Sequence, residues 1–201
     1  MTTVTLRQQK KNATRQKLAG QALDLFARNG VDAVTIDDIA RAADVGKGTL
    51  YNYYGSKEEI LLEFLAGVEA RALPKIADAA VAGRTLDQVL NNAAWTLLAC
   101  KAEHHDYARL VLSRLARGDD AFKTKAQSFS AAVLGAFTAL FARLKDAGLV
   151  AEPWAADDLA LRFTVMHMGL SLFWAMDAPP FTTAKRLTKA ETEIFAKGIA
   201  P

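Results

Sequence analysis

The chain has one cysteine, Cys100, so no intramolecular disulfide can brace it. It also lacks a long apolar run. The nearest approaches, residues 131–142 and 163–176, are shorter than a membrane span and contain Thr138 and His167, which reads them as buried helices. The opening MTTVTLRQQKKN is positively charged with no apolar stretch inside it, unlike a secretory signal, so a soluble cytoplasmic protein is expected. Strand-type alternation, internal repeats, low-complexity tracts and disordered linkers are missing too. Net charge is small, +3 over 201 residues, but it is uneven. Up to Lys57 there are nine Lys/Arg against five Asp/Glu, and after it sixteen against seventeen. Arg7, Lys10, Lys11, Arg15 and Lys17 gather at the start, a mild form of the basic footprint of nucleic-acid binders.

Catalytic and metal signatures are thin. Gly46-Lys47-Gly48-Thr49 has the look of a phosphate-cradling loop, yet no Gly stands five residues before Gly46 and no Ser or Thr follows Lys47 directly. Cys100 and His104 have a helical ligand spacing with Glu103 and His105 nearby, but one cysteine closes no zinc site without a distant third ligand such as His167. Neither a nucleophile elbow, a zinc-protease helix nor a pair of catalytic carboxylates is present. No catalytic residue, metal or cofactor is expected.

What stands out instead is the stretch TIDDIARAADVGKGTLYNYYGSK, residues 35–57. Thr35 is an N-cap, Asp38 completes a capping box, and Ile36, Ile39, Ala40 and Ala43 recur at helical spacing. Asp44, Val45 and Gly46 interrupt the pattern, and a second helix over 47–54 places Leu50 and Tyr54 on one face. The small Ala40 and Ala43 let two such helices cross closely, as a helix-turn-helix requires. With Leu50 and Tyr54 inward, Gly48 and Asn52 lie opposite, flanked by Thr49 and Tyr51. Asn52 suits adenine, the Thr49 methyl suits thymine, and the hydroxyls of Thr49, Tyr51 and Tyr53 suit phosphates. Lys47 reaches a base edge or phosphate from the helix start. Gly48 costs about 1 kcal/mol against Ala inside a helix, which close approach to a DNA backbone would justify. Ser56 and Glu59 form another capping box, which puts Lys57 in a first helical turn, where a DNA phosphate would offset the unfavourable macrodipole. The expected DNA-facing set is Thr35, Lys47, Gly48, Thr49, Tyr51, Asn52, Tyr53 and Lys57.

The pattern T-x-x-D-I-A-x-x-A-x-V-x-x-G-T-L-Y-x-Y-Y-x-S-K, preceded by A-x-x-L-F-x-x-x-G at residues 22–30, resembles the TetR family of bacterial transcriptional regulators. The resemblance covers about the first 60 residues; the rest fits in length and helical character. Asp44 stands where that family usually has a turn Gly, and Tyr54 where it usually has Phe. Asp tolerates the left-handed region, and the phenol can fill the Phe position if its hydroxyl finds a partner. The resemblance implies a homodimeric, ligand-released repressor on a near-palindromic DNA operator, with half-sites about 34 Å apart. It also implies a helical domain that binds a largely apolar small-molecule effector.

The expected fold is all-α: an N-terminal three-helix helix-turn-helix domain, residues 1–57 with 1–11 as a mobile basic arm, then a helical bundle, residues 58–201. Helix one spans about 12–29 and stops at Gly30. A helix follows Ser56 toward Leu73, where Pro74 predicts a break or kink. Further helices are read over about 86–102, 106–117, 120–145, 155–176 and 183–197. Asn92, Trp95, Phe129, Phe137, His167 and Trp174 are the candidate ligand pocket, although core packing accounts for the same aromatics. The helix over 155–176 is apolar nearly all round and needs cover on two sides. Phe163, Leu170 and Phe173, with Leu187 and Ile194 of the last helix, are therefore the candidate dimer interface. Two alternatives stay open at this point: a helical small-molecule sensor or enzyme whose N-terminal helices are structural, and a DNA binder whose bundle only dimerises.

Overall fold

The computed structural model describes residues 5–77, 84–117, 120–176 and 183–201. Among these residues lie nine α-helices and no strand: α1 (Leu6–Asn29), α2 (Ile36–Ala42), α3 (Lys47–Tyr51), α4 (Lys57–Ala77), α5 (Leu86–Ala102), α6 (His105–Arg117), α7 (Asp120–Asp146), α8 (Ala156–Ala175) and α9 (Ala184–Ile199). The chain divides into two units, Met1–Phe64 and Leu65–Pro201, and α4 contributes residues to both.

In the first unit, α2 packs against α1 and α3. Leu18, Ala22 and Phe26 of α1, Ile39 and Ala40 of α2, Leu50 of α3 and then Tyr54 are buried. Helix α1 is longer than its apolar stripe. The arm expected over 1–11 is helical from Leu6, because Thr5 caps it by accepting the Gln8 amide at 3.3 Å, and Arg, Gln and Lys are good helix formers that need no apolar cover. Gly30 ends it with φ 77°, donating to the Phe26 carbonyl. Helix α3 stops at Tyr51, earlier than expected, although the Tyr54 amide still donates to the Leu50 carbonyl at 3.0 Å. Pro74 does not break α4, which runs on to Ala77. The proline sits in the last turn, so only the Ala70 carbonyl loses its helical donor, and the exposed ring disturbs no packing.

In the second unit α7 packs on α8, α5 on α9, and α6 on both α7 and α8. Its core is aromatic at the centre. Phe163 meets Phe137 edge-on at 4.8 Å, Phe141 at 5.6 Å and Phe195 at 5.3 Å. Leu90, Leu97, Leu140, Leu144 and Leu159 surround them, all fully buried. Asp157 and Asp158 in the first turn of α8 complement its macrodipole. Among the described residues no helix is long and apolar enough to cross a membrane.

Candidate functional site

The candidate DNA-reading surface starts from two caps. At the head of α2, Thr35 Oγ accepts the Asp38 amide at 3.2 Å, and the Asp38 carboxylate accepts the Thr35 amide at 3.0 Å. The Thr35 hydroxyl, donating to the same carboxylate at 2.6 Å, and then the Thr35 amide hold the Asp38 carboxyl below its ordinary range. At the head of α4, Ser56 accepts the Glu59 amide at 3.3 Å, while the Glu59 carboxylate reaches one residue further back, to the Gly55 amide at 2.9 Å. Between α2 and α3, Asp44 adopts φ 54°, so the aspartate performs the left-handed turn that a glycine would otherwise make. Asp37 and Lys47 then tie α2 to α3 through a 2.9 Å ion pair, which raises the Lys47 pKa by hydrogen bonding.

This frame leaves Lys47, Gly48, Thr49, Tyr51 and Asn52 exposed together on and just after α3, with Tyr53 half-buried and Thr35 exposed at the start of α2. A Cβ added to Gly48 would meet nothing within 4 Å, and its backbone is outside the left-handed region. The fold itself therefore does not ask for glycine there. Lys57 is placed differently from the expectation of a free first-turn cation. Its ammonium donates to the carbonyls of Val31 at 2.6 Å, Val34 at 3.0 Å and Asp32 at 3.3 Å, so the macrodipole penalty is offset inside the protein. The lysine pins the turn between α1 and α2.

Tyr54 finds the partner its hydroxyl needs. The phenol donates to Glu63 Oε1 at 3.1 Å, and the Arg15 guanidinium lies 4.5 Å from the ring centre. Arg15 in turn pairs with Glu63 and donates to the Tyr53 carbonyl at 3.2 Å. Burial raises the Tyr54 pKa, with the Glu63 charge adding to it. The triad joins α1, the end of the reading segment and α4.

Residues 20–64 match the family described as bacterial regulatory proteins, tetR family. The match takes in the α2–α3 frame and ends within α4. The chain is 38% identical over 74 residues to the HTH-type transcriptional regulator TcmR of Streptomyces glaucescens, covering 33% of each chain. It is 41% identical over 56 residues to the HTH-type transcriptional repressor KstR2 of Mycobacterium tuberculosis, covering 28% of each. The matches thus span about a third or less of these relatives. Fold similarity extends further: FadR of Thermus thermophilus, a tetR-family repressor in complex with lauroyl-CoA, superposes with a TM-score of 0.74 over 91% of this chain and 93% of that one, at 20% identity.

In this chain the six candidate pocket residues are not brought together. Asn92 is exposed and, with Asn91, Asp87 and Glu193, lines an open polar groove of about 300 Å³ between α5 and α9. Trp95 is half-buried with Lys185 5.7 Å from its ring centre, and Trp174 meets His105 edge-on at 4.9 Å. Phe137 is in the core, and the Phe129 side chain lies outside the described residues. His167 is buried and 6.1 Å from Phe137, ring to ring. Its polar neighbours Lys101 and Ser171, and the Glu69 that pairs with Lys101, were not expected from sequence. Cys100 donates its thiol to the Leu97 carbonyl, and burial pushes that thiol up to about 11.

The dimer candidates divide as sharply. Phe163 and Leu170 face the core and are unavailable to a partner, whereas Phe173 is 43% and Ile194 66% exposed. Leu187 is half-buried. The exposed apolar stripe of α8 is instead Leu161, Val165 and Met168, continuing toward Phe173 and Met176. A helix apolar on every side gives no periodic signal for which side faces out.

Proposed function

We propose that the protein is a sequence-specific, DNA-binding transcriptional repressor, acting as a cytoplasmic homodimer and released by a small apolar molecule, with no enzymatic role. One observation carries this reading: the capped and ion-paired α2–α3 frame presents Lys47, Gly48, Thr49, Tyr51 and Asn52 together in solvent, a set of residue types suited to a major groove. Asn52 and Thr49 read bases, and Lys47, Tyr51, Tyr53 and Thr35 position the backbone. Residues 1–57 are the reader, and residues 58–201 bind effector and partner.

The dimer is supported by the exposed α8 stripe of Leu161, Val165 and Met168 and by the exposed Ile194 of α9, since an apolar surface of this kind is usually covered by a partner. A ligand in the helical unit is supported by the fold it shares with a lauroyl-CoA-bound repressor. Release follows if ligand favours a spacing of the two readers that the operator rejects. The test is selection of purified protein against random duplex DNA, then footprinting of the winners at two salt concentrations. A two-fold-symmetric motif with steep salt dependence upholds the reading; weak binding without a motif at low salt overturns it.

A further inference from the structure

Helices α4, α5 and α8 of the second unit meet at a buried polar cluster that neither DNA reading nor dimerisation uses. Lys101 Nζ lies 2.8 Å from Glu69 Oε1, 3.1 Å from His167 Nε2 and 3.1 Å from Ser171 Oγ. Glu69, His167 and Ser171 are each 2% exposed or less. The ammonium thus has a neighbour for each of its three protons. Because it can only donate, His167 Nε2 is assigned as the acceptor, which puts the ring proton on Nδ1.

That assignment exposes a deficit. Among the described residues His167 Nδ1 has no hydrogen-bond partner, nor do the two Glu69 oxygens, whose Oε1 contact with Lys101 is an ion pair without hydrogen-bond geometry. Orphaned polar groups of this kind are rare in native interiors, and here a donor and an acceptor belong to the same cluster. The Glu69–Lys101 pair carries no net charge. A carboxylate brought in would oppose Glu69, and an ammonium would oppose Lys101. A hydroxyl meets both needs, donating to Glu69 while accepting from His167 Nδ1.

We propose that this cluster is the polar end of the effector site and takes a neutral hydroxyl carried on an apolar body. The inference rests on the ligand-responsive reading above and gives the effector a chemical class. Phe137 flanks His167, and from the residue after Ser171 onward, Leu172, Ala175 and Met176 line an open groove of about 240 Å³ with Arg109, Leu112 and Ser113 of α6. That groove suits the apolar body. Glu69 would place the bound hydroxyl against α4, the helix that runs on from the reader.

The test uses the full chain and four probes of matched length: 1-octanol, 1-methoxyoctane, octanoate and octylamine, titrated by calorimetry without DNA. Octanol is expected to bind at least tenfold tighter than the ether, which cannot donate, and tighter than either charged probe. His167→Phe should lose about tenfold for octanol and nothing for the ether, whereas His167→Gln, which restores a donor, should stay within threefold of wild type. Equal binding of octanol and ether, preference for a charged probe, or no binding of any probe because the cluster holds only internal water would each overturn the proposal. The ether comparison stands even if a variant fails to fold. DNA selection that succeeds while octanol fails removes the subsite alone; octanol binding without a DNA motif removes the repressor reading instead.

Discussion

Gly48 and Lys57 carry the sharpest residue-scale consequences. Alanine at 48 has room and an ordinary backbone conformation, so Gly48→Ala should stabilise the first unit by about 0.5–1 kcal/mol through helix propensity. If close backbone approach is why glycine stands there, the same variant should bind operator more weakly. Urea denaturation and a binding titration check both halves, and a stabilised protein of unchanged affinity would remove the close-approach explanation. Lys57→Ala should destabilise the unit by about 1–2 kcal/mol, because three carbonyls between α1 and α2 lose a charged donor. Its effect on the salt slope of DNA binding should be minor. A slope lowered by about one at unchanged stability would return Lys57 to the phosphate.

At the scale of the element, α4 and the cluster it shares with α5 and α8 can be probed separately. Pro74→Ala restores the donor to the Ala70 carbonyl at an exposed position and should stabilise the second unit by about 1–2 kcal/mol, measurable as a shifted urea midpoint at unchanged m-value. The cluster sets a pH dependence. Burial, aided by the Lys101 charge, holds the His167 pKa well below 6.5. Burial also lowers Lys101 to about 7, so stability as a whole keeps rising above neutrality; below pH 6.5 the unfolded chain takes up a proton that the folded His167 ring refuses, so the ring's own contribution is full above that pH. It falls as pH drops toward the folded pKa, by at most about 1.4 kcal/mol per pH unit. Melting temperatures between pH 7.5 and 5 should fall less for His167→Gln than for wild type; parallel curves would place the ring in contact with water.

For the whole molecule, the proposed assembly can be tested on the exposed stripe of α8. Val165→Glu puts a charge in the middle of Leu161, Val165 and Met168 without touching the buried face of the helix, so the chain should stay folded and become monomeric in sedimentation. Binding to a palindromic operator should then fall at least tenfold, while a half-site is bound as before. A dimeric Val165→Glu protein would move the interface elsewhere. Phe163→Ala is the contrast: it opens a cavity among Phe137, Phe141 and Phe195 and should destabilise by about 3–5 kcal/mol.

The sequence by itself determined what depends on neighbours along the chain. The all-α class, the capping box of Thr35 and Asp38, the left-handed Asp44 and the inward pair Leu50 and Tyr54 were all legible, because caps, turns and helical stripes act over three or four residues. Tertiary structure alone decided the rest. Lys57 meets Val31 from 26 residues away, and Lys101 meets His167 and Ser171 from 66 and 70 away, separations at which no local pattern announces a contact. On α8, apolar residues on every side erase the periodicity that would tell core from surface, so only packing against α6, α7 and α9 could turn Phe163 inward and leave Val165 outside.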